Sequence, residues 1–502
     1  SMTHKRSSHI LHGAVISTII LIMQMFAALV KVKVILSAYG HEYYSIFQSS
    51  NGIFSYLILI ESGFSVAYLL KMYEPYAHRD TRKLQELYLG LEHMMTRVAW
   101  IMLLGVAVVT IIYPLILAEN ALPQWELLVL IALSGIKFVL PYFFTVAKKQ
   151  ILNVVEKSYL ITSIDSAVNL VTDIIIIFIA LFTSLNFLWT VIASVLMLIP
   201  SIVIYTIIVN RYKKQFHFLP HAEPSYEASS MTKDIMAQKI AYLADNNVDQ
   251  IILSTQDLLQ TTIYTSFNSV VSYPVTLVNQ LIASFRGHMG VRLADNTADS
   301  YQPFRKLFAV NFYIATVISC EFILQAQNFV KLWIGSEYST ANLTLILFAL
   351  VLFRKCAENS VTIVREGRDL YKESKKYALL AALINFVLSL LLVRPLGING
   401  LLIATIIADF GILDINNYRL VFNKVFNRGF DILPELFAAA ISMLFSIYIR
   451  YVSPFAGVDQ SSWLPFVLYS AVTTLIVVLG VGFVYFALSR HIRMAAKQFM
   501  HR

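Results

Sequence analysis

The chain has 502 residues, of which 58% are apolar and only 14% charged, with a formal net charge of +9. Soluble domains carry about 45–50% apolar and about 25% charged residues, so a water-exposed globule of this composition would present large apolar patches. With two cysteines in the whole sequence, this balance excludes secreted enzymes, nucleic-acid binders and disulfide scaffolds, and leaves an all-α polytopic membrane protein.

The apolar residues fall in runs of about 20, the length of a bilayer-spanning helix. In chain order the predicted spans are 10–35, 45–70, 96–118, 125–147, 159–182 and 185–209, then 235–256, 260–284, 305–329, 339–363, 374–394, 398–420, 432–452 and 462–488. The first follows a basic tail but lacks a small-residue cleavage pattern, and reads as an uncleaved span. Segments 71–97 and 416–431 mix apolar with charged residues and are expected to be interfacial helices. About fourteen spans leave only short connections and no separate soluble domain.

Orientation follows from the basic residues, which favour the cytoplasmic side. Placing both termini inside puts every Lys and Arg in cytoplasmic segments except Lys31, Lys33, Lys137, Lys331, Arg394 and Arg450. The longest hydrophilic stretch, 210–234, divides a first lobe (1–209) from a second (235–420), followed by two further spans and a tail (421–502). Lys157-Ser158-Tyr159 with Asn169 and Lys375-Lys376-Tyr377 with Asn385 repeat at nearly the same offset. Two six-helix lobes related by a pseudo-twofold axis, plus two C-terminal helices, would produce that pattern.

Charges at bilayer depth are costly and face a partner or a watery cavity. Span four aligns Ser134, Lys137, Pro141, Thr145 and Lys148 on one face, and span five aligns Thr162, Asp165, Asn169 and Asp173. Lys137 sits near mid-span, too deep to reach headgroups comfortably. Two readings stand: an ion pair between Lys137 and Asp173 joining the helices, or Lys137 as a cation awaiting an anion. Span seven carries Tyr242, Asp245, Asp249 and Gln256, and span eight Thr265, Asn268, Ser272, Asn279 and Arg286. Such stripes on the two lobes predict a polar central cavity. Glu61 is a further acid within span two, and Lys31 and Lys33 close span one at the outer mouth. Lys137, Arg286, Lys31, Lys33, Asn169 and Asn268 are the expected substrate contacts. Glu61, Asp249, Asp173 and Asp165 are the expected sites of H+ or Na+ coupling. No phosphate-binding GxxxxGK[ST], HExxH, CxxC or GxSxG pattern occurs. No enzyme chemistry, metal or organic cofactor is therefore expected.

Several stretches resemble the Gram-positive Wzx-type polysaccharide and teichoic-acid flippases of the multidrug/oligosaccharidyl-lipid/polysaccharide exporter superfamily. Ala38-Tyr39-Gly40 before Glu61-Ser62-Gly63-Phe64 resembles that family's LG…ELG, and Asp249-Gln250-Ile251-Ile252-Leu253-Ser254 its TDxxIIS. Phe329-Val330-Lys331-Leu332-Trp333-Ile334-Gly335-Ser336-Glu337-Tyr338 resembles PFIxLWIGxEY, and Leu396-Gly397-Ile398-Asn399-Gly400 with Thr405 resembles GIxGVxxGT. Where the family often has LYKP after span two, this chain has Leu70-Lys71-Met72-Tyr73-Glu74-Pro75. The resemblance implies a plasma-membrane transporter working by alternating access, without using ATP itself. Its cargo would be an undecaprenyl-pyrophosphate-linked oligosaccharide or teichoic-acid precursor, moved from the inner to the outer leaflet for cell-wall and polysaccharide biosynthesis. The expected partners are this lipid-linked glycan and membrane lipids, with no nucleic acid, and the protein is expected to be a monomer. A lipid II flippase and a drug/cation antiporter of the same superfamily are the rival readings.

Overall fold

A computed structural model describes residues 2–61, 63–227, 248–283, 285, 289, 293, 298–368, 370–452 and 460–500. These residues are mostly helical with no strand among them, and they form two compact units, Ser1–Leu259 and Gln260–Arg502. Ten described helices are long and apolar enough to cross a membrane, and an eleventh span results if the bent pair His41–Glu61 and Phe64–Ala77 counts as one. Two further expected spans are helices that fall short of that standard. One is Leu258–Ala283, rich in Thr, Ser and Asn, and the other is broken into Asn342–Ala357 and Asn359–Gly367. Most of expected span seven lies outside the described residues. The protein is a multi-pass membrane protein.

The first unit is built from α1 (Met2–Tyr39), α2 (His41–Ser55), α3 (Ile58–Glu61), α4 (Phe64–Ala77), α5 (Thr81–Ile116), α6 (Gln124–Phe144), α7 (Val146–Val154), α8 (Ser158–Phe182), α9 (Phe187–Leu196) and α10 (Leu198–Gln215). Its helices expose rather than bury much of their apolar surface. On α5, Trp100, Leu104, Val108, Ile111 and Leu115 recur every three to four residues and are all more than half exposed. That stripe is the lipid-facing side, because hydrocarbon is as good a neighbour for Leu as another helix. At about 1.5 Å per residue, the 36 residues of α5 extend about 54 Å, well beyond a hydrocarbon core of about 30 Å.

Two sequence expectations are thereby corrected. Residues 71–97 do not form an interfacial helix: they finish α4 and supply the first half of α5. Likewise, 416–431 does not form one, since Ile415–Arg419 and the π-helical Leu420–Val425 continue the span begun at Ile398. In both places buried apolar residues on one side keep the charged stretch in the helical bundle, Leu84, Leu87 and Leu91 in the first and Val421 and Phe422 in the second.

The linker after α10 returns to the first unit. Gln85 holds both backbone groups of Leu219, donating from Nε2 to its carbonyl (2.5 Å) and accepting its N–H (2.8 Å). Ser225 donates its N–H to the Glu86 carbonyl (2.8 Å) and accepts from Tyr68 Oη (3.0 Å). Lys83 pairs with Glu227 at 2.9 Å, and Arg97 lies over the Tyr226 ring. This strap passes so close to α5 that a Cβ on Gly90 would sit 1.9 Å from the Ser225 carbonyl oxygen. A backbone atom cannot swing aside as a side-chain tip can. Gly90→Ala is therefore expected to lift the strap at a cost of about 1–3 kcal/mol, seen as faster proteolytic cleavage within 216–227. Unchanged cleavage would show that the strap tolerates the methyl group.

The second unit comprises α11 (Leu258–Ala283), α12 (Tyr301–Trp333), α13 (Asn342–Ala357), α14 (Asn359–Gly367), α15 (Tyr371–Leu396), α16 (Ile398–Thr405), α17 (Ile415–Arg419), α18 (Leu433–Tyr451), α19 (Trp463–Leu488) and α20 (Arg490–Met500). It buries two charge networks. Arg305 on α12 meets Glu435 on α18 at 3.2 Å, both essentially inaccessible. Arg354 on α13 reaches Asp414 (2.9 Å), Asp409 (3.1 Å) and Glu358 (3.3 Å). Arg305 and Arg354 therefore do not act as loop cations, although the charge count places them in cytoplasmic segments. Cys320 and Cys356 are buried and free.

Candidate functional site

The sequence places polar groups on spans one, four and five, and the first unit brings those of spans one and five into contact. α1 packs along α8, which sets Lys31 and Gln24 against Asp173. Lys31 Nζ lies 2.5 Å from Asp173 Oδ1, while Gln24 Nε2 donates to Oδ2 at 3.3 Å. Both oxygens of this buried carboxylate are thus occupied from one helix. The alternative of a Lys137–Asp173 ion pair is corrected: Asp173 takes Lys31, because α1 covers its face of α8.

Lys137 lies on α6, half-buried, with Nζ 5.9 Å from the Phe47 ring centroid on α2. Among the described residues it has no ion pair, although Lys31 and Asp173 are within electrostatic reach. The other polar groups of its helix face are satisfied internally. Ser134 Oγ donates to the Leu130 carbonyl (2.8 Å) and Thr145 Oγ1 to the Pro141 carbonyl (3.1 Å), the usual backbone option for helical hydroxyls. The ammonium group is the part of the stripe left for something else. Its aromatic neighbour contributes on the order of 0.5–1 kcal/mol or more, far less than a counter-ion at bilayer depth.

About two helix turns from Lys137 a second polar cluster forms where α6 ends. Pro141 removes a helical N–H, and the chain breaks at Thr145 (φ −123°) before resuming as α7. That break directs Lys149 toward α8, where Nζ meets Asp165 Oδ2 at 2.6 Å and Tyr205 donates to Oδ1 at 2.8 Å. Lys149, Asp165, Asn169 and Ser201 line a cavity of about 210 Å³ with Pro141, Thr145 and Leu198. Lys148 turns back instead to bond the Phe144 carbonyl. The face predicted from span five is therefore split: Asp165 and Asn169 border this cavity and Asp173 faces α1.

The remaining candidates separate. Glu61 is buried, and its Oε1 accepts the Ser65 N–H (2.6 Å) at the start of α4. Gly63, at φ +79°, makes the left-handed turn that brings carboxylate and helix start together. A carboxylate there is favoured by the helix dipole. Asp249 is buried in the first unit within electrostatic reach of Tyr56. Nearby, Tyr113 Oη bridges Ser49 Oγ (2.7 Å) and Ser254 Oγ (2.8 Å). Lys33 is exposed, two residues beyond Lys31 and off the face that meets Asp173. Asn268 is half-buried on α11 in the second unit. Arg286, Tyr242 and Asp245 lie outside the described residues.

Gln24, Phe47, Lys149 and Tyr205 are contributors that sequence reasoning missed. Lys149 had one available signal: Pro141 foretold a break after which the helical face register no longer applies. Among the described residues no group of three or more His, Cys, Asp or Glu could hold a metal ion. In the second unit, α18 and α19 enclose an apolar groove of about 280 Å³ lined by Ile441, Phe445, Ile449, Val477, Val481 and Phe483 among others.

No family model matches the chain. No curated protein matches it either. Solved structures do resemble it in fold. A lipid II flippase MurJ in an inward closed conformation aligns with TM-score 0.68 and 14% identity over 95% of this chain and 99% of that one. A multidrug resistance MATE family transporter of the MOP superfamily, inward-facing, gives 0.55 and 14% over 86% and 97%. The MATE multidrug transporter DinF-BH in complex with R6G gives 0.54 and 11% over 84% and 96%. The likeness runs nearly end to end, and at these identities it is a likeness of fold.

Proposed function

We propose that this chain is a transporter of the MOP superfamily that moves a polyprenyl-pyrophosphate-linked oligosaccharide or teichoic-acid precursor from the inner to the outer leaflet. The observation that carries the reading is Lys137, a half-buried mid-span ammonium without an ion pair among the described residues. A pyrophosphate cannot cross hydrocarbon unless other groups replace its water, and an uncommitted cation is such a group. The apolar groove between α18 and α19 has the chemistry to hold a polyprenyl chain. Lobes 1–209 and 235–420 would alternate access, with 421–502 appended and both termini cytoplasmic. Glu61, Asp249, Asp165 and Asp173 would couple the cycle to H+ or Na+. Arg286, Lys33 and Asn268 would add contacts to the head.

The MurJ-like fold also supports lipid II as cargo, since that substrate carries the same pyrophosphate and polyprenyl tail. A drug/cation antiporter is less consistent with a cation at this depth. Proteoliposomes loaded separately with lipid-linked oligosaccharide, teichoic-acid precursor, lipid II and an organic cation dye would distinguish these. Movement of at least one pyrophosphate-linked lipid and none of the dye is the expected result. Transport of the dye alone would overturn the reading.

A further inference from the structure

Span one contributes two lysines that the sequence reading sets aside for the head, and the structure gives Lys31 a different task. Gln24 and Lys31 stand two turns apart on α1, hence on one face, and each donates to a different oxygen of Asp173. Asp173 is almost wholly buried, its side chain 4% exposed against 26% for Lys31. A carboxylate so placed is costly to keep ionised without a counter-ion. Among the described residues Lys31 pairs with it at 2.5 Å, and Lys137 is within electrostatic reach.

We infer that Lys31 is a positioning residue: by occupying Asp173 it keeps the Lys137 ammonium uncompensated and so available to an anionic head. This rests on the reading of Lys137 as the head-binding cation. The charge balance makes the consequence definite. Lys31, Asp173 and Lys137 together carry one net positive charge. Without Lys31 the group is neutral, and among the described residues Lys137 is the cation within electrostatic reach of Asp173. Without both Lys31 and Asp173 the positive charge returns, and it resides on Lys137 alone. Gln24 supports the arrangement by holding the second carboxylate oxygen, which fixes the side chain toward α1.

The two roles open to Lys31 therefore give opposite results in a double variant. If Lys31 touched the pyrophosphate itself, removing Asp173 as well could not restore what was lost. If Lys31 acts through Asp173, it must. The experiment is equilibrium binding of farnesyl pyrophosphate to the purified full chain in detergent, with each variant's thermal unfolding measured in the same detergent. Lys31→Met is expected to weaken binding tenfold or more. Lys31→Met/Asp173→Asn is expected to return it to within about threefold of the unmodified chain, and adding Lys137→Ala in that background to abolish it. A double variant as weak as Lys31→Met overturns the inference, as does Lys31→Met binding like the unmodified chain. Should Lys31→Met fail to fold, the double and triple variants decide alone, since neither leaves a buried carboxylate uncompensated. Lys137→Ala in the otherwise unmodified chain separates the two claims. Normal binding there defeats the head-binding reading itself, whereas lost binding with no rescue in the double variant defeats only the role given to Lys31.

Discussion

Lys137→Ala is expected to slow transport of a pyrophosphate-linked lipid in proteoliposomes by on the order of tenfold to a hundredfold. The magnitude follows from a hydrogen bond to a charged group, about 1.5–3 kcal/mol, with every 1.4 kcal/mol worth about tenfold. The structure argues that little else would be lost. Lys137 makes no ion pair among the described residues, and its ring contact with Phe47 is a long one at 5.9 Å. Truncation thus breaks no ion pair, gives up only that weak ring contact, and relieves a desolvation cost. Folding stability should hold or rise while transport falls, a combination that a structural lysine does not give. Lys137→Arg should retain much of the rate, since a guanidinium also binds phosphate. Equal rates for Lys137→Ala and the unmodified chain would remove the cation from the mechanism.

The second large effect concerns stability. Glu435→Ala should destabilise the second unit by about 3–5 kcal/mol, the usual consequence of stripping one partner from a buried ion pair. Arg305 is held between Phe308 and Phe422, 5.1 and 5.6 Å from their ring centroids, and two of its nitrogens have no hydrogen-bond partner. Glu435 is its counter-ion and also accepts from Ser489 Oγ at 2.7 Å, where α19 gives way to α20. Removing the carboxylate leaves a guanidinium in an apolar surround and frees that junction. Thermal unfolding in detergent, read as an apparent midpoint at fixed scan rate, should drop by several degrees or more. Arg305→Met/Glu435→Leu should recover most of the loss, because a packed apolar pair replaces a buried ion pair at little cost. An unchanged midpoint for Glu435→Ala would mean that water reaches Arg305.

The contrast between Lys137 and Arg305 bears on how such charges are read. Each is a basic residue near or within an apolar run, and hydropathy treats them alike. Arg305 is consumed by a counter-ion from α18, whereas Asp173, the carboxylate within electrostatic reach of Lys137, is already taken by Lys31. The distinction between a structural and a receptive cation therefore depends on third parties, here Asp173 and Glu435.

The sequence by itself determined the membrane-spanning character, the place of most helices and the positions of Lys137, Asp165 and Asp173 along their apolar helices. These are local properties: apolar run length and the three-to-four residue recurrence of polar groups are written into consecutive residues. It also anticipated that the polar groups of spans four and five share one region. Only the tertiary structure decided which charge meets which, that Asp173 takes Lys31 across 142 residues and Arg305 takes Glu435 across 130. Such pairings depend on how each helix is rotated about its own axis against its neighbours, and on breaks such as Thr145 that reset a face. A rotation is fixed by the packing of both partners at once, so neither helix carries it alone.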